Sequence, residues 1–154
     1  MTVIIQGSQL RDIGLGRRVQ GKTSTVAGAG THQVFTIAGG EVLITSLYGK
    51  VTTAITGATG TYALQVDPTA GDTDTVVAAT ALGATDVTAG TVLGVVDGGT
   101  ATPDFAPGMF ALSNLVVTTG EIELVTADAT ADGVIQWYAT YVPLTDGATL
   151  TASA

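Results

Sequence analysis

The sequence predicts an all-β fold, a jelly roll or related antiparallel β-sandwich with an extended N-terminal arm. From residue 31 onward, short runs rich in Val, Ile, Thr and aromatic residues are separated by Gly, Asp, Pro and Ala-Thr stretches. Within the runs apolar residues recur at every second position, as half-buried strands require. No stretch shows the three-to-four spacing of an amphipathic helix.

THQVFTI (31–37) alternates well, and AGG (38–40) then turns the chain. EVLITSLYGKVTTAI (41–55) reads as a long strand or strand pair, with Gly49 a bulge or bend. GATG (57–60) is a turn, and TYALQVD (61–67) is a strand closed by Pro68. TVVAATAL (75–82) and TVLGVVD (91–97) are further strands, and residues 98–108 are irregular. NLVVTT (114–119) and EIELVTA (121–127) read as neighbours across a turn near Gly120. GVIQWYATYVPL (133–144) is a long strand that places Ile135, Trp137, Ala139 and Tyr141 on one face. This gives about eight strands in residues 31–144. Residues 1–30 carry no strand pattern beyond TVII (2–5), so they are expected to form a basic, glycine-rich arm, and residues 145–154 a C-terminal tail.

A chain of 154 residues has the length of one domain with a real core. Hydrophobic residues make up 45% of it and charged residues 12%, well below the roughly 25% of average soluble proteins. A surface of Thr, Gly, Ala and Ser loses little side-chain entropy when a neighbour packs on it, which favours assembly. The absence of cysteine removes disulfides, thiolate metal sites and cysteine nucleophiles. No basic start with a long apolar run opens the sequence, and no segment is apolar enough to span a bilayer, so a soluble protein made in a cytoplasm is expected.

Charge is distributed unevenly. Arg11, Arg17, Arg18 and Lys22 face only Asp12 within the first 23 residues, whereas the remainder sets Lys50 against twelve carboxylates. The two parts should attract one another or, in an assembly, each other's copies. The basic arm is therefore the expected partner-binding element. Nucleic acid is not an expected partner, because a net charge of −8 opposes it.

GRRVQGKT (16–23) fits the phosphate-loop pattern G-x-x-x-x-G-K-[ST], with Gly16, Gly21, Lys22 and Thr23 in the fixed places. The chemistry needs a strand before the loop and a helix directly after it, so that backbone N–H groups point at phosphate. TSTVAGAG (23–30) is a poor helix start, so the glycines are read as hinges of the arm and the cations as its docking charges.

His32 is the one histidine and no G-x-S-x-G motif accompanies it, so it is read as a strand residue. Asp128, Thr130, Asp132 and Gly133 imitate half a calcium loop, but Ala139 stands where its closing Glu belongs, so a turn is expected. Glu121 and Glu123, two apart, share a strand face. No catalytic residue, metal or cofactor is assigned, and no enzyme is expected. Most aromatics are expected in the core. Tyr138 should point opposite Trp137, toward a partner subunit or ligand.

HQVFTIAGGEVLITSLYGKVTTAI (32–55) and TTGEIELVTADATADGVIQWYATYVPLTDGA (118–148) resemble a group of tailed-bacteriophage virion proteins, small β-rich head-region products that include decoration or cement proteins. The resemblance implies a jelly-roll-like subunit, commonly a homotrimer, on the capsid surface, bound to the major capsid protein or another virion protein and tying capsomers together. It leaves open a receptor- or glycan-binding β module of a tail or head fibre, which would use Tyr138, Trp137 or loop residues 97–108.

Overall fold

The computed structural model describes residues 7–56, 60–82, 86–96, 104–107, 114–127 and 132–154. Among the described residues, one short helix, α1 (Gly7–Leu15), precedes eleven strands. These are β1 (Arg17–Thr25), β2 (Gly30–Ala38), β3 (Val42–Thr53), β4 (Thr61–Pro68), β5 (Asp74–Ala81), β6 (Val92–Val96), β7 (Asp104–Pro107), β8 (Leu115–Val117), β9 (Gly120–Thr126), β10 (Val134–Pro143) and β11 (Thr149–Ala152).

Every strand pair is antiparallel. The front sheet runs β1-β10-β3-β6-β7, with β8 also pairing β3, and the back sheet runs β11-β2-β9-β4-β5. The paths β1-β10-β3-β6 and β2-β9-β4-β5 are the two four-stranded sheets of a jelly roll, in which the pairs β1/β10, β2/β9, β3/β6 and β4/β5 nest like one long folded hairpin. The expected all-β sandwich is therefore present. β7 and β8 are additions between β6 and β9, and β11 extends the back sheet past β2.

The core lies between the sheets. Ile135, Trp137, Ala139 and Tyr141 of β10 are all buried, on one face as the alternation requires. They meet Phe35 and Ile37 of β2, Leu64 of β4 and Ile122 and Leu124 of β9 in one cluster. Gly49 is neither bulge nor bend: it sits opposite Trp137 in unbroken register, and a Cβ there would lie 2.7 Å from Ile135 Cγ2 and 3.1 Å from the indole. The missing side chain makes room for Trp137.

The N-terminal arm expected over residues 1–30 is corrected. Residues 7–15 are helical, and β1 is an integral edge strand paired with β10. The inward side of β1 carries Val19, Gly21 and Ser24, small residues that give no apolar alternation to read; the pairing surface of β10 supplies what local preference does not. Gly21 and Gly16 are packing glycines and not hinges. A Cβ on Gly21 would lie 2.7 Å from the Phe35 ring, and Gly16 ends α1 at φ +87°, pressed against the Tyr141 carbonyl.

Further expectations change, and of the two readings of residues 41–55 the long strand is the one present. The tail over 145–154 contains β11, whose Leu150 is buried against the roll. Residues 41–55 form one strand ending at Thr53, followed by a bridge from Ile55 to Val87. β8 and β9 do not pair across Gly120 but enter different sheets. Gly120, at φ +156°, is extended backbone packed tightly on the Asp67 carbonyl, where any side chain would collide. Residues 104–107 of the stretch expected to be irregular (98–108) instead form β7, paired with β6, while its residues 98–103 and 108 and the TVII segment (2–5) lie outside the described residues.

Candidate functional site

Folding sorts the charges by sheet. All five Lys and Arg belong to α1 or the front sheet: Arg11 in α1, Arg17, Arg18 and Lys22 in β1, and Lys50 in β3. Strands β1, β3, β6, β8 and β10 contain no carboxylate, and Asp104 of the edge strand β7 is the front-sheet exception. The back-sheet strands contain no Lys or Arg, and β4, β5 and β9 supply Asp67, Asp74, Glu121 and Glu123. The sandwich thus has a cationic front and an anionic back.

On the front, register places Tyr48 of β3 directly opposite Tyr138 of β10. Their rings stack with centroids 5.1 Å apart and planes 24° from parallel. The exposed Arg18 guanidinium lies 4.5 Å from the Tyr138 ring centre, and its Nη2 donates to the Tyr48 hydroxyl at 2.8 Å. The guanidinium is therefore held in place and still faces solvent. Gly94 lies directly opposite Tyr48 on β6.

Below this ladder β1 bulges, with Gly21 and Lys22 set against Trp137 alone. The buried Gln136 repairs the ladder. Its Nε2 donates to the Gly21 carbonyl at 2.7 Å, and its Oε1 accepts from Thr23 Oγ1 at 2.8 Å and Gln20 Nε2 at 3.1 Å. Lys22 donates to the Ala154 carbonyl oxygen, so this cation is engaged within the chain.

Above the ladder the front becomes apolar. Val116 of β8, Leu43 of β3 and Val142 of β10 lie in one cross-strand row, and Gly14 and Leu15 of α1 line a groove with Thr45, Ser46, Thr140 and Val142. The exposed large hydrophobic residues are Leu10 (57%), Leu15 (68%), Val116 (52%) and Leu144 (50%). Leu15 and Val116 both border this patch.

On the back, Glu121 pairs with Asp67 and Glu123 with Gln65 across β9 and β4. Gln65 Nε2 donates to Glu123 Oε2 at 2.8 Å. Burial, then the neighbouring charges of Glu123 and Asp67, push the Glu121 carboxyl above its ordinary value.

The remaining candidates resolve individually. Residues 17–25 continue as a strand after Gly16, so the phosphate-loop pattern has no loop and no following helix. His32 of β2 has its Nε2 3.2 Å from Thr126 Oγ1 of β9 and borders a polar groove of about 380 Å³ with Lys22, Ser24, Gln33 and Glu123. Asp132 accepts from the Thr56 backbone N–H at 3.0 Å and from its hydroxyl, which holds its carboxyl below its ordinary value. Residues 128–131 of the calcium-loop imitation lie outside the described residues. No group of three or more His, Cys, Asp or Glu that could hold a metal occurs among the described residues.

Of the expected partner-binding residues, the structure brings Arg18 together with Tyr138, while Arg17 stands exposed at the strand edge and Arg11 lies in α1. Sequence reading missed Tyr48 and Lys50. Their alternation with Leu47, Gly49 and Val51 puts them on the outer face, but only register shows that they join Tyr138.

Fold and surface together define a jelly-roll body with two chemically opposite sheet faces. No family model, curated protein or solved structure matches the chain.

Proposed function

We propose that the chain is a non-enzymatic structural subunit of a tailed-phage virion, a head decoration or cement protein that acts by packing against copies of itself and against the shell. One observation carries this reading: a single small roll has a cationic, apolar-bordered front and an anionic back. Such a body can hold two different neighbours at once. Its small, weakly charged side chains lose little entropy on docking, and many identical copies on a shell turn weak contacts into firm attachment. Closure into a homotrimer would also cover edge strands such as β1. Arg11, Arg17 and Arg18 take the role of contact residues from the front side, replacing the flexible arm by a fixed face.

The second reading, a receptor- or glycan-binding module, is favoured by the half-exposed Tyr48 and Tyr138 beside Arg18. Stacking between the two rings and the guanidinium over Tyr138 occupy much of the aromatic surface a sugar would need, which places this reading second.

Immunogold labelling of purified particles of the virus that encodes the chain tests the proposal. Label distributed over the head is expected. Label confined to tail or fibre tips would favour the receptor module, and particles free of the protein would overturn both.

A further inference from the structure

The back sheet presents a physical problem in the isolated chain. Asp67 and Glu121 point outward from paired positions of β4 and β9, beside the buried Glu123, and no strand of that sheet offers a Lys or Arg to either of them. The front sheet has the converse arrangement, since Arg18 and Lys50 stand on strands with no carboxylate.

We propose that the Arg18–Tyr138–Tyr48 face of one copy seats on the Asp67–Glu121 face of a second copy, so that the protein associates front to back. The occupant is a second copy because this chain itself carries the complementary surface. The Arg18 guanidinium is held over Tyr138 by a cation–π contact and by its bond to the Tyr48 hydroxyl, so little freedom is lost when it meets a carboxylate. Arginine suits this role better than lysine because its planar fork can bind a carboxylate with two parallel N–H groups. Beside Glu121 the back sheet offers Thr36 and Ala38 of β2, short side chains that let a flat face approach closely.

A contact between unlike faces is heterologous. It closes into a ring where the rotation between copies divides a full turn, and otherwise continues as a stack. Ring closure at three copies would give the trimer proposed above. The inference rests on the reading of the chain as an assembling subunit, but it concerns only the contact, which is measured in solution without particles. Labelled heads with a monomeric protein would sink the contact alone, whereas front-to-back association of a protein missing from particles would sink the virion role alone.

The test is multi-angle light scattering and sedimentation of the full chain over a range of protein concentration, at low and raised salt. The wild type is expected to form a ring of fixed mass or a stack that grows with concentration, weakening as salt rises. Arg18→Glu and Glu121→Lys should each weaken association by roughly tenfold or more, and the double variant should restore it, because the swapped charges again face each other. Arg18→Gln and Glu121→Gln provide milder versions, and the near-ultraviolet signal of buried Trp137 checks that each variant is folded. A wild type that stays monomeric at every concentration overturns the proposal. So does a double variant no better than the singles, or an effect of Arg18 substitution without any of Glu121.

Discussion

Gln136 closes the β1 bulge by donating its side-chain N–H to the Gly21 carbonyl at 2.7 Å while its own oxygen accepts from Thr23 and Gln20. A buried amide thereby replaces the ladder bonds that the extra residue in β1 disrupts. Gln136→Leu keeps the size of the side chain but leaves the Gly21 carbonyl without that donor. The expected loss is about 1–3 kcal/mol of stability, the usual range for an unsatisfied buried polar group. Urea unfolding measures it, and an unchanged midpoint would show that solvent serves the bulge equally well.

Truncation separates the helix from the roll. Removing residues 1–15 takes away α1 and leaves β1 paired from Arg17 onward. Cooperative thermal unfolding should persist with a similar midpoint. Removing residues 1–22 also strips Arg17 to Lys22 from the β10 edge and uncovers the Phe35 ring beneath Gly21. That loss should be large against the roughly 5–15 kcal/mol that holds a domain together. Circular dichroism melts of the two truncations decide it, and equal stability would remove β1 from the structural framework.

Glu121 gives stability an acid-side signature. Its carboxyl binds a proton more tightly in the folded chain than in the unfolded one, through burial and the charges of Glu123 and Asp67. Its contribution is therefore fully present below the ordinary carboxylate range and is lost as pH rises through its raised value. Glu121→Gln should flatten this fall. Asp132 works in the opposite sense: bonded to Thr56, it supports the fold above the ordinary carboxylate range, and that support disappears as pH falls through its lowered value. Urea midpoints across the acidic range, for wild type, Glu121→Gln and Asp132→Asn, should show the two slopes with opposite sign.

Strands whose inward residues are large were legible in the sequence. β3, β4 and β10 alternate Val, Ile, Leu or aromatic side chains with polar ones, and the core face of β10 reads directly from Ile135 to Tyr141. β1 was not legible, because what it turns inward is Val19, Gly21 and Ser24, and the bulk there comes from Phe35 of another strand. Gly49 misled for the same reason: its partner in space is Trp137, far away in sequence. The candidate surface depended on pairing as well. Arg18 and Lys50 share a face only because β10 lies between β1 and β3, and Asp67 meets Glu121 only because β4 pairs with β9. An excess of cations before residue 23 was visible in the sequence; its assignment to one sheet was not.

The nested pairing of the roll also sets an order of events during synthesis. Arg17 finds its place against Tyr141, and Thr25 against Val134, so β1 waits for a strand made long after it. Until β10 has left the ribosome, β1 is an unpaired ribbon, and the front sheet lacks the strand that joins its two halves. Such long-range closure makes folding slow compared with a helical chain of this length. During that interval the three cations of β1 discourage it from zipping onto the same strand of another nascent chain, so the charges that mark the finished surface also keep the growing polypeptide out of the wrong embrace.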